Sequence, residues 1–332
     1  RESILAAPPL PDLLPYGMPR FQHERVQELA PGTVSVLGVP VDHGSTYMRG
    51  PADAPAAIRA QLHSGSANLC TEAGLDLGAQ TAFVDLGDLE PGHGEAARRE
   101  IERCVSDLLE RGCRVLSIGG DHAVTAPLVA AYADTFPDLE ILHFDAHPDL
   151  YDDYEGDRYA NACPFARIME AGQARRLVQV GIRTMNPHQR AQAERFGVEV
   201  LEMRDFDPAR RLRFDGPVYL SFDIDVLDPA FAPGVSHREP GGMSTRDALR
   251  VIQGFEGRLV GEDHQRQPPR AACVRADRDE RRKQALREEI LRAEPTVGEV
   301  RKRYRSLDER LARIEKYVTS SRYELDEEFR RL

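Results

Sequence analysis

The strongest constraint on this chain is a recurring alternation. Short β-branched, nearly continuous apolar runs are separated by longer stretches of helical pattern. The runs are VSVLGVP (34–40), AFVDLGD (82–88), RVLSIGG (114–120), EILHFDA (140–146), LVQVGI (177–182), VEVLEM (198–203) and PVYLSFD (217–223). A strand that is apolar on both faces must be covered on both, as in a parallel sheet flanked by helices. Between the runs, 95–111 places Ile101, Val105, Leu108 and Leu109 on one helical stripe. The pattern predicts an α/β fold, a three-layer α/β/α sandwich with a mostly parallel sheet and right-handed crossovers. In such sheets ligands bind at the carboxyl ends of the strands.

Composition narrows the function classes. The chain has 332 residues, 41% hydrophobic and 30% charged, enough apolar material for a packed core. A net charge of −11 gives nothing to neutralise phosphates in bulk, so no nucleic-acid partner is expected. No apolar run approaches the ~18 residues of a spanning helix, so no membrane partner is expected either. The first twenty residues lack the basic start and apolar stretch of a secretory signal. The five cysteines (70, 104, 113, 163, 273) are odd in number and form no CxxC, as in a reduced cytoplasmic protein. Charge shifts sharply near residue 261: residues 262–332 hold 19 basic and 16 acidic side chains, including all three lysines. The chain therefore reads as an N-terminal extension (1–30), an α/β domain (31–261) and a charged helical tail (262–332).

Three segments, each ending an expected strand, are rich in metal-ligating side chains. They are Gly119-Gly120-Asp121-His122, Asp145-Ala146-His147-Pro148-Asp149 and Asp223-Ile224-Asp225. So many ionisable groups at one end of a buried sheet require compensation. Strand alternation would turn Asp145, His147 and Asp149 to one side, and Asp223 and Asp225 likewise. His143 is expected to face away as a core or supporting histidine. Carboxylates with only two imidazoles suit Mn²⁺. Six ligands, some able to bridge, suit two metals about 3.5 Å apart that share a hydroxide.

GGDH, FDAHPD and SFDIDVLDPAFAPG, with GVPVDHGSTYMRGPADAPAAIR (38–59), resemble the signature motifs of the ureohydrolase family of arginases, agmatinases and their relatives. The wording is closer to bacterial agmatinase-like members, and the likeness spans roughly residues 30–260. It implies an arginase-like fold and two Mn²⁺ per subunit. His122, Asp145, Asp149 and Asp223 would hold one ion; Asp145, His147, Asp223 and Asp225 would hold the other. It further implies that a metal-bridging hydroxide, oriented by Asp149, attacks a guanidinium carbon and releases urea and an amine, as in polyamine metabolism. Tyr151, His237 and Glu239 would meet the small guanidino substrate. Glu239 suits a cationic tail and Arg238 a carboxylate one, which leaves agmatine, arginine, guanidinobutyrate and a formimino compound open. Family members are usually homo-oligomers, trimers or hexamers.

Two departures from the family pattern stand out. Asn161 occupies a position where relatives usually carry a proton-donating His at the mouth of the site, and Asn cannot titrate near neutral pH. Weakened catalysis with metal binding intact is expected, or a metal-binding pseudoenzyme. After 257–261 no Glu-x-Asn-Pro segment follows, and the short AACV (271–274) is the only strand-like run left. Loss of the family's last strand would leave its neighbours unpaired, so either AACV substitutes poorly, or the sheet closes over the gap, or the domain is destabilised. In the tail, Val300, Tyr304, Leu307, Leu311, Ile314 and Val318 follow an a/d spacing, so 297–318 could form a coiled-coil contact.

Overall fold

In the computed structural model the described residues are 20–80 and 82–265. One eight-stranded sheet is built from β1 (Val34–Val39), β2 (Phe83–Asp88), β3 (Arg114–Gly119), β4 (Glu140–Phe144), β5 (Arg176–Ile182), β6 (Glu199–Glu202), β7 (Arg213–Asp223) and β8 (Glu256–Gln265). Its order is β2-β1-β3-β8-β7-β4-β5-β6, with every neighbouring pair parallel. The helices are α1 (His23–Val26), α2 (Ala54–Leu62), α3 (Gly94–Glu110), α4 (Thr125–Thr135), α5 (Pro164–Glu170), α6 (Pro187–Phe196) and α7 (Thr245–Gly254). None of the described helices is long and apolar enough to cross a membrane.

The two faces of the sheet feed two separate cores, and the period of two decides which residue enters which. Ile141, Leu177 and Tyr219 join Ile101, Val105, Leu108 and Leu128 of α3 and α4. Their strand neighbours Leu142, Val178, Val180, Leu220 and Phe222 join Ala248 and Val251 of α7. This is the three-layer α/β/α sandwich expected from the alternation. The stripe on α3 is as expected too, with Ile101, Val105, Leu108 and Leu109 all buried.

The last strand departs from expectation. No gap is left: β8 occupies the middle of the sheet, pairing with β3 from Val115↔Gly261 to Gly119↔Gln265 and with β7 as far as Asp223↔Gln265. The run GRLVG continues directly as strand into 262–265, although those residues are polar in sequence. Two neighbouring strands with backbone groups to satisfy outweigh a local apolar preference. AACV, the N-terminal residues 1–19 and the 297–318 seam lie outside the described residues.

Candidate metal centre

Strands β3, β7 and β4 deliver the three motifs to one end of the sheet. The delivery does not work by strand alternation, because β4 ends at Phe144 and β7 at Asp223. Each motif is instead a turn closed by its own aspartate, whose side chain accepts from the backbone N–H two residues on. Asp121 Oδ1 accepts from Ala123 (3.1 Å), Asp145 Oδ1 from His147 (2.7 Å) and Asp223 Oδ1 from Asp225 (2.9 Å). These are Asx turns, the ordinary way an Asp starts a turn. In Asp223 the turn commits one oxygen and leaves the other to point into the site, while in Asp145 both oxygens face it, the turn-closing Oδ1 lying 3.3 Å from His147 Nδ1. Asp149 adopts a left-handed backbone (φ 47°), which Asp tolerates better than most residues. Gly120 permits the close approach of the neighbouring loop: a Cβ there would lie 1.8 Å from the Val41 carbonyl oxygen.

Around the buried His122 Nδ1, three carboxylate oxygens gather: Asp149 Oδ2 at 2.9 Å, Asp145 Oδ2 at 3.1 Å and Asp223 Oδ2 at 3.6 Å. Around His147 Nδ1 lie Asp225 Oδ2 at 3.1 Å and Asp145 Oδ1 at 3.3 Å. Asp145 thus stands between two groups, one oxygen toward each. The four residues of the first expected set meet at His122. In the second, His147, Asp145 and Asp225 meet directly, and Asp223 joins through the turn it closes with Asp225.

The electrostatics are those of a site with too many acids. Burial, then the Asp145 charge, pushes Asp149 up to about 6. Burial, then Asp225 and Asp145, lifts Asp223 well above the usual carboxylate range, and burial with Asp145 raises Asp225. Asp145 goes the other way: burial opposes its charge, but the imidazoles of His122, His143 and His147 hold it well below. Burial also opposes charge on His147, yet Asp225 and Asp145 raise it to about 12. His122 is raised well above its ordinary value by Asp145 and Asp149 against the same burial. No Lys or Arg side chain is paired with these four carboxylates among the described residues. His122 Nδ1 is buried without a hydrogen bond of good geometry, though three oxygens surround it. Oxygen donors in excess, two inward imidazole nitrogens and no Lys or Arg counter-cation among the described residues fit hard or borderline divalent cations.

Other candidates fall in different places. His237 reaches the rim: its ring lies 5.4 Å from that of His147 and 5.5 Å from exposed Tyr47. Glu239 Oε1 lies 3.8 Å from His147 Nε2, while Arg238 turns back to the Pro233 carbonyl (3.2 Å). Asn161 sits on the loop after β4, its backbone N–H bonded to Gly44 O (2.9 Å) and its Oδ1 accepting from Thr46 N (3.1 Å). Tyr151 packs between Tyr154 and His188, and its hydroxyl accepts from Asn186 (2.6 Å) at the start of α6.

His143 takes the supporting place expected of it but does not face away: Nε2 lies 2.9 Å from Asp145 Oδ2 and the ring stacks on Phe165. Residues 143 and 145 share a parity, and that signal was available. Some contributors were not read from the sequence. Ser221 Oγ meets His122 Nε2 at 3.0 Å. Arg183 clamps the rim loop to the floor, donating to the Asp225 and Glu239 carbonyls at 2.6 and 2.8 Å.

Comparison with known proteins agrees with this geometry. The model of the arginase family matches residues 32–268. The chain is 42% identical to arginase 1, mitochondrial, of Arabidopsis thaliana over 70% of its own length and 73% of the relative. It is 38% identical to the guanidinopropionase of Pseudomonas aeruginosa, over 69% and 77%. Among solved structures, arginase from Medicago truncatula superposes with a TM-score of 0.69 at 40% identity, covering 74% of this chain and 83% of that one.

Proposed function

This chain belongs to the arginase family, and from that premise we propose that it is a Mn²⁺-dependent ureohydrolase holding two cations per subunit. The observation that carries the reading is the convergence of His122, Asp145, Asp149 and Asp223 beside His147 and Asp225, with acids in excess. His122, Asp145, Asp149 and Asp223 would hold one ion; Asp145, His147, Asp223 and Asp225 the other. Bound there, two divalent cations supply charge neutralisation and a water acidic enough to act as a nucleophile at neutral pH.

The chain's own residues do the rest. Asp149 orients the attacking water and accepts its proton. Water oxygen bonds to the guanidinium carbon, the bond from that carbon to the alkylated nitrogen breaks, and both protons of the water, the one taken by Asp149 and the one left on its oxygen, end on the departing amine. The products are urea and R–NH₃⁺. Glu239, at the rim beside His147, pairs with a cationic substrate tail, and Arg183 holds its loop in place. The rim carries the Glu239 carboxylate and turns Arg238 aside, which favours agmatine or the amino end of arginine over a purely acidic tail. The arginase relatives make arginine the first substrate to assay, with agmatine and guanidinobutyrate beside it.

Asn161 supports a second reading, a pseudoenzyme, because its amide oxygen is engaged by Thr46 N and it carries no titrating group. One assay separates the two: urea release, with Mn²⁺ content measured on the same sample. Two ions and urea support the enzyme; two ions and no urea from any of the three substrates support the pseudoenzyme. Asn161→His is expected to raise turnover without changing Mn²⁺ content, and an unchanged rate would mean the amine takes its proton elsewhere.

A further inference from the structure

Directly beneath the acidic centre lies a row of three fully buried polar side chains on adjacent strands. Ser221 of β7, His143 of β4 and Gln179 of β5 are in register, and each is 0% exposed. Ser221 serves His122. The other two form a chain that ends on Asp145.

The orientation of Gln179 is decided by what surrounds it. Its amide nitrogen lies 2.7 Å from the Pro148 carbonyl oxygen and 3.0 Å from His143 Nδ1. A carbonyl can only accept, so the nitrogen rather than Oε1 must face Pro148. Its two hydrogens then go to Pro148 O and to His143 Nδ1. Gln179 Oε1 is left without a hydrogen-bond partner, a cost in a dry interior that marks the two donated bonds as the ones the position is built around. With Nδ1 accepting, the neutral imidazole carries its proton on Nε2, and Nε2–H donates to Asp145 Oδ2 at 2.9 Å.

We propose that Gln179 is a positioning residue for the metal centre: by fixing the His143 tautomer it fixes the Asp145 carboxylate, the group shared between the two ions. This rests on the ureohydrolase reading of the site. Asp145 receives one hydrogen bond on each oxygen, from His147 N on Oδ1 and from His143 on Oδ2, so its plane is set while each oxygen keeps lone pairs for a cation. The same amide group ties down the Pro148 carbonyl, next to the left-handed Asp149. Asn is too short to span both acceptors, and Glu would put an acceptor against Pro148 O.

The test is Mn²⁺ affinity by equilibrium dialysis with metal analysis on the full chain, together with the protonation of His143 read by ¹⁵N-imidazole NMR on metal-free protein. Gln179→Met, similar in volume but without donors, is expected to weaken Mn²⁺ binding about 10–100-fold, the usual range for an outer partner of a ligand. His143→Leu is expected to fall by the same amount. His143→Gln, which keeps an N–H for Asp145, should lose less than about 10-fold. In the wild type, Nε2 of His143 should be protonated and Nδ1 not. Wild-type affinity in Gln179→Met, equal losses in His143→Gln and His143→Leu, or a protonated Nδ1 would each overturn the proposal; the last holds even if a variant fails to fold. A wild-type chain that takes up no Mn²⁺ would instead sink the ureohydrolase reading itself.

Discussion

Two clusters of buried acid lie along the same sheet, and they are balanced in different ways. At β2, Asp85 and Asp88 close on Arg59, itself only 1% exposed: its Nε lies 2.7 Å from Asp85 Oδ2, a second nitrogen bonds Asp88, and a third donates to the Gly87 carbonyl at 3.0 Å. A guanidinium carried by α2 does the balancing. At the ends of β3, β4 and β7, four carboxylates have only imidazoles as ion-pair partners among the described residues, and Arg183 gives its hydrogen bonds to carbonyl oxygens. Burial of charge is tolerated only when paired. The first cluster is therefore architecture, complete within the chain, while the second has the charge balance that the proposed cation binding would complete.

Removing the balancing charge should break the first cluster. Arg59→Met leaves the buried Asp88 and the partly buried Asp85 without their guanidinium and is expected to cost about 3–5 kcal/mol of folding stability, read as a lower denaturant midpoint, with Mn²⁺ per folded chain unchanged. A loss below about 1 kcal/mol, typical of a surface pair, would mean that the cluster is not structural. In the second cluster the sign reverses. Asp223→Asn keeps an oxygen for the turn to Asp225 but removes a charge that its neighbours resist. Without metal, its thermal midpoint should rise above wild type. Its Mn²⁺ affinity should fall beyond the ~100-fold at the upper end for outer partners. A lower metal-free midpoint would contradict the proposed cation binding.

These contrasts also mark what the sequence disclosed. The candidate ligands were legible as a group because carboxylates and imidazoles at strand ends are chemically conspicuous. Their geometry was not: strand alternation stops at Phe144 and Asp223, and the Asx turns that follow obey different rules. β8 was missed because a polar stretch, 262–265, occupies a central strand, where the pairing demands of β3 and β7 prevail. The Gln179–His143–Asp145 chain depends on register between β4 and β5, a nonlocal fact with no signature in either segment. Arg59 was hidden for a similar reason, since its partners are 26 and 29 residues away.

Protons sharpen the comparison further. In the second cluster they do part of a cation's work. His147 is raised to about 12 and Asp149 to about 6, so the folded chain holds these protons more tightly than the unfolded chain does. Stability then falls as pH rises. The Asp149 contribution is lost between its ordinary value near 4 and about 6, and the His147 contribution from about 6.5 upward. Metal-free protein should therefore be less stable at pH 8 than at pH 5.5. Mn²⁺ binding at pH 7 should release protons from His122 and His147, and from Asp223 as far as it is protonated, because ligands must be deprotonated. Calorimetry in buffers of different ionisation enthalpy measures the release; none would mean that the imidazoles are not ligands.

The smallest effect belongs to the solvent edge of the same cluster. Glu239 is one-third exposed, 3.8 Å from His147, so its pairing with a substrate amine is partly screened and worth about 1 kcal/mol. Glu239→Gln should raise KM for agmatine about 5-fold, leaving kcat and Mn²⁺ content unchanged. For guanidinobutyrate, whose tail is a carboxylate, KM should fall instead, because the repelling charge is gone. The opposed directions matter more than the size. A general distortion of the rim would move both constants the same way, and equal shifts would remove Glu239 from substrate selection. That would leave Arg183 as the residue that shapes the rim, through its hold on the loop backbone.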